Sequence, residues 1–146
     1  MDIHKLPIRL IMSVIAGIAV SKILSVLTHE ILHLMGILPA LSMPMFDDEP
    51  IIISLVYHCV YAVVGAYITA YIAREGAMKA VFILGTKEAI LWLLGVVLLW
   101  KHSAPWFNIS KALLGIPLAL LGGKIYIWHK NRTEKKSISK NLGCKY

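Results

Sequence analysis

The stretch Ile8–Leu38, I-R-L-I-M-S-V-I-A-G-I-A-V-S-K-I-L-S-V-L-T-H-E-I-L-H-L-M-G-I-L, decides how the rest of the chain is read. Its first part, Ile8 to Leu27, is an apolar run of about 20 residues, the length that crosses roughly 30 Å of hydrocarbon as a helix. A polar extension to Leu38 carries His29-Glu30-x-x-His33, the spelling that in water-soluble enzymes sets two histidines on a zinc ion beside a glutamate general base. Working outward, three more windows of similar length follow, near Ile51 to Ala73, Ala80 to Trp100 and Ile109 to Trp128. With 58% hydrophobic and only 16% charged residues over 146 positions, the chain is too apolar for an ordinary soluble domain. The expectation is an all-α integral membrane four-helix bundle over residues 1–128, followed by a basic tail over 129–146.

The net charge of +7 is read by side of the membrane. Lys5 and Arg9 precede the first span, Arg74 and Lys79 lie between the second and third, and Lys130, Arg132, Lys135, Lys136, Lys140 and Lys145 follow the fourth. Asp47, Asp48 and Glu49 fall on the opposite side, with Lys101. The positive-inside rule then predicts both termini in the cytoplasm. Trp100, Trp106, Tyr126 and Trp128 stand where interfacial aromatic anchors are expected. The tail reads as a solvated segment facing anionic lipid headgroups, not as a nucleic-acid patch. Cys59 in the second span and Cys144 in the tail are too far apart to pair, so no disulfide is expected. A cleaved signal peptide is the rival reading of the N-terminus, yet the apolar run continues past the small residues Ala16, Gly17 and Ala19.

At about 100° per residue, Lys22, Ser25, His29 and His33 form one polar stripe on the first helix, which lipid cannot accept. His58 on the second helix is expected at a similar depth. A catalytic zinc needs three protein ligands and an open position for water. The candidate ligands are His29, His33 and His58, with the acids Asp47, Asp48 and Glu49 as substitutes for the third, and Glu30 is the candidate base. Intramembrane zinc peptidases carry such a motif in a membrane helix but pair it with a later L-D-G segment, and this chain has none. The alternative expectation is that the histidines bond Tyr57, His58 or Tyr61. No cofactor is then required, and zinc is the metal that the motif would admit.

The third span holds Lys87 and Glu88. Glu88, Trp92 and Gly95 share one face, whereas Lys87 points about 100° away. An ionised carboxylate amid hydrocarbon needs a cation, and Lys22 sits at comparable depth. Lys22 and Glu88 are therefore expected to pair, either to fix helix register or as part of a proton or cation relay with the histidines.

Small residues recur at four-residue spacing: Ala62, Ala66 and Ala70, then Gly85 and Ala89, with Gly115, Gly122 and Gly123 in the fourth span. They suit close helix contact. Tyr57, Tyr61 and Tyr71 form a stripe expected to pack between helices. The connector P-A-L-S-M-P-M-F-D-D-E-P is stiffened by Pro39, Pro44 and Pro50, and its Met43 and Met45 would suit a soft metal only weakly.

The order I-R-L-I-M-S-V-I-A-G, L-H-L-M-G-I-L-P with P-M-F-D-D, Y-A-V-V-G-A-Y-I-T-A-Y-I-A with A-M-K-A-V-F-I-L-G, and A-P-W-F-N-I-S-K-A-L-L-G-I-P-L-A-L-L-G-G resembles a group of short four-span bacterial membrane proteins of unassigned function. The likeness spans Ile8 to Gly123. It implies a location in the bacterial inner (plasma) membrane, and His29 stands where that group carries Asp. The expected function is a non-enzymatic membrane component, structural, assembling or transporting; the alternative is a zinc-dependent intramembrane peptidase. The lipid bilayer is the expected partner, and association into a homo-oligomer is left open.

Overall fold

The computed structural model describes residues 5–40, 43, 47–98 and 104–143. Pro44, Met45, Trp100, Lys101, Cys144 and Lys145 lie outside these residues. The four apolar windows become four helices: α1 (Lys5–Leu34), α2 (Asp48–Ala73), α3 (Ala77–Leu98) and α4 (Pro105–Gly143). No strand occurs among the described residues. All four helices are long and apolar enough to cross a membrane.

Helix ends follow local chemistry. At the end of α1, Gly36 takes a φ of 74°, its N–H bonds to the His33 carbonyl at 2.9 Å, and the Ile37 N–H reaches the Leu32 carbonyl at 2.9 Å. This pair of bonds is the Schellman arrangement, which favours glycine at the left-handed position. The chain thereby folds back over the last turn of α1. Helix α2 starts with Asp48 and Glu49 in its first turn, where acidic side chains complement the helix dipole. It stops at Arg74, the only non-glycine residue with positive φ among those described, whose N–H bonds to the Ala70 carbonyl. A single 3₁₀ turn, Arg74–Gly76, then leads directly into α3.

The fourth helix runs past its apolar window. Helix α4 does not stop near Trp128 but continues to Gly143 as one helix of 39 residues. Lysine and glutamate are good helix formers, so the polar segment extends a turn series already nucleated by the apolar part. Glu134 adds an i,i+4 contact to Lys130 at 3.9 Å, and the Arg132 guanidinium rests 4.0 Å from the Trp128 ring centre.

The helices pack as a ring in the order α1, α2, α4, α3, with α2 also touching α3. Their facing sides are lined by small residues. A Cβ placed on Gly17 of α1 would collide with the Thr69 hydroxyl of α2 and lie 2.6 Å from the Gly65 carbonyl. One on Gly122 of α4 would lie 2.8 Å from the Ala66 Cβ of α2. Close backbone approach of this kind gives van der Waals contact where lipid supplies no hydrophobic drive. Conversely, Leu34, Val97, Leu98 and Leu113 are exposed on the outside. Large apolar side chains outward and Ala, Gly, Ser and Thr inward invert the pattern of a water-soluble bundle.

Candidate functional site

A cavity of about 60 Å³ opens among all four helices. Helix α1 contributes Lys22 with Ser21 and Ser25, and α2 contributes His58, Cys59 and Tyr61. Helix α3 contributes Glu88 and Trp92, one turn apart on a single face, and α4 contributes Lys111. Leu114 and Leu118 close the cavity with an apolar wall.

Its charges are arranged around Trp92. The Lys111 ammonium rests 4.1 Å from the Trp92 ring centre and 3.7 Å from that of Phe107, which lies one turn earlier on α4. Lys22 Nζ approaches the same indole at 5.0 Å and stands 3.7 Å from Glu88 Oε2. The His58 ring meets Trp92 edge-on at 6.0 Å. A cation over an indole face is held by the ring's quadrupole, more strongly as water is removed. Lys111 is only 7% exposed.

Lys22 and Glu88 are thus brought together, but Glu88 has a nearer partner. Lys87 donates to Glu88 Oε1 at 2.9 Å. Adjacent residues diverge by about 100° around a helix, yet the four-carbon stem of lysine is long enough to turn back and close that gap. Here the expectation that Lys87 points away fails. Lys111 is missing from the sequence-based candidates altogether. The signal that could have found it is a lone cation just inside an apolar window, spaced four residues from Phe107 and four from Gly115.

The histidines take separate partners. His29, 5% exposed, has Nδ1 3.1 Å from the Tyr57 hydroxyl and Nε2 3.2 Å from the Pro39 carbonyl. A carbonyl only accepts, so this pairing assigns the proton to Nε2 and makes Nδ1 an acceptor for Tyr57. Ser54 donates to the same phenol at 3.2 Å, giving a directed chain Ser54 to Tyr57 to His29 to Pro39. His33 is exposed and bonds through Nδ1 to the Leu38 carbonyl at 2.9 Å. The fold-back at Gly36 is what brings both carbonyls onto the histidines. His58 bonds within its own helix, Nδ1 to the Ser54 carbonyl at 2.8 Å. Thr28 and Tyr61 share a hydrogen bond of 2.7 Å across α1 and α2.

This arrangement does not fit a zinc centre. Both ring nitrogens of His29 are engaged, Glu30 is on the exposed side of α1 while His29 is buried, and His58 turns toward Trp92. Among the described residues, no three His, Cys, Asp or Glu side chains are grouped to hold a metal ion.

No protein-family model, curated protein or solved structure matches this chain.

Proposed function

We propose that this chain is a non-enzymatic integral membrane protein, a small transport component whose four spans enclose a charged solute chamber. Both termini face the cytoplasm in this reading, the basic end of α4 lies against anionic lipid headgroups, and the host membrane is the bacterial inner membrane. One observation carries the proposal. Lys22, Glu88 and Lys111, from three different helices, line a cavity in which both ammonium groups approach the Trp92 ring.

A bundle that needed only a register lock would use one lysine and one carboxylate. Charged groups inside a membrane bundle are costly, and they face cavities or pathways when they are present. The inverted packing, apolar outside and small within, supports insertion of all four helices. The motif His29-Glu30-x-x-His33 adds no second reading, because its histidines bond to Tyr57 and to the Leu38 and Pro39 carbonyls while Glu30 lies on the exposed side of α1.

The test uses Cys59, whose residue lines the chamber. In the full chain with Cys144→Ser, reconstituted in vesicles, small water-soluble methanethiosulfonates should modify Cys59, since they react only with thiols that reach water. A Cys59 that stays inert until detergent is added would leave the chamber dry and the transport reading without support.

A further inference from the structure

We infer that the chamber binds a small organic anion, a singly charged carboxylate or phosphate-type group on a short apolar remainder, held by Lys111 and Lys22 opposite Glu88. The inference rests on the transport reading and adds the sign and class of the solute.

Charge is the first argument. Among the described residues, Lys22 and Lys87 pair with one carboxylate, Glu88, and Lys111 lines the same cavity as Lys22 and Glu88, so amines outnumber carboxylates three to one in this part of the bundle. Hydrocarbon penalises such an excess, and an anion in the cavity removes part of it. Lys111 is the sharper case. It is 7% exposed, it lines the cavity, and its partners among the described residues are aromatic rings rather than carboxylates. An indole and a phenyl ring hold the charge electrostatically but offer no oxygen lone pair to the three N–H donors of an ammonium. An oxyanion supplies those acceptors.

The walls select the rest of the ligand. Ser25 and Tyr61 add hydroxyls on one side, and Leu84, Leu114 and Leu118 form an apolar surface on the other. A cavity of about 60 Å³ admits a few non-hydrogen atoms, not a nucleotide or a peptide. The same chemistry is presented by a free short-chain acid and by the anionic group of a membrane lipid.

The experiment compares two reagents on Cys59 in the Cys144→Ser chain, in phosphatidylcholine vesicles. One is a sulfonate-bearing methanethiosulfonate and the other its trimethylammonium analogue, each normalised to its rate with 2-mercaptoethanol. The anionic reagent should react about tenfold faster, as a cavity of one sign concentrates counter-ions. Sodium butyrate at millimolar concentration should slow labelling if the source is a free acid, and added phosphatidylglycerol should slow it if the source is a lipid. Lys111→Gln should abolish the preference; should that variant not fold, protection of the parent chain still decides. Equal rates, or faster cationic labelling, without protection by either anion would overturn the inference and leave a chamber open to solute. Failure of both reagents to label would overturn the chamber and the inference together.

Discussion

Glu88 accepts a hydrogen bond from Lys87 of its own helix and pairs more loosely with Lys22 of α1. Lys87 lies at 2.9 Å and Lys22 at 3.7 Å. Removing Lys22 therefore leaves the carboxylate paired, while removing Glu88 strands both cations. We predict that Glu88→Leu destabilises by about 1 to 3 kcal/mol, more than loss of either lysine, because it strands two cations that are themselves only partly buried. Lys22→Leu should cost about 1 kcal/mol or less, as for a partly open ion pair. Reversible unfolding in mixed micelles measures both, and equal losses would show that Lys22 is the dominant partner. The pairing of Lys22 with Glu88 could be anticipated from depth alone. The role of Lys87 could not, because helical angle describes where a Cβ points and not where a long flexible side chain ends.

At the scale of helices, contact is decided by where side chains are missing. Gly17 meets Thr69 and the Gly65 carbonyl so closely that even a methyl group must displace backbone. Gly95, by contrast, has its nearest neighbour, Trp92, at an ordinary 3.8 Å. Gly17→Ala should lower stability by about 1 to 3 kcal/mol through overpacking. Gly95→Ala should be neutral or slightly stabilising, since alanine is the better helix former. Thermal unfolding of the two variants tests this, and an undisturbed Gly17→Ala would mean that α1 and α2 do not touch there. The existence of all four helices was legible in the sequence because a single apolar segment in hydrocarbon can satisfy its own backbone only as a helix. The alanine and glycine rows on α2, α3 and α4 were legible as contact surfaces too. Gly17 was not, as a single small residue gains meaning only from the helix opposite. Nor was the continuation of α4 past Trp128, where charge replaces the apolar signal while helix propensity persists.

For the molecule as a whole, the distribution of charge sets the orientation to be tested. Arg9, Arg74, Lys130 and Arg132 stand at one end of the bundle, and Arg9 donates to the Ile72 carbonyl beside the α2–α3 turn at 2.9 Å. Asp47, Asp48 and Glu49 mark the other end. With Cys59 and Cys144 replaced by serine, Asp48→Cys should be labelled by an impermeant maleimide added outside whole cells. Ser137→Cys should be labelled only after lysis. Labelling of both from outside would mean dual orientation or a different number of crossings. The chamber itself was half legible: Lys22, Glu88 and His58 could be named, whereas Lys111 needed the packing of α3 on α4 to become visible.

The three-residue turn at Arg74–Gly76 makes α2 and α3 neighbours in sequence, yet each packs more extensively on α4 than on the other. This has a consequence for biosynthesis. If the chain inserts as proposed, then while the ribosome still holds residues beyond α3 the newly inserted helices have Gly85 and Ala66 facing lipid instead of Ala119 and Gly122, and the cavity beside Glu88 lacks its Lys111 wall. The last helix released is the one that covers the inner faces of α2 and α3. A chain truncated before Pro105 would thus present exposed intramembrane charge, the kind of defect by which a membrane protease distinguishes an orphan from a finished protein.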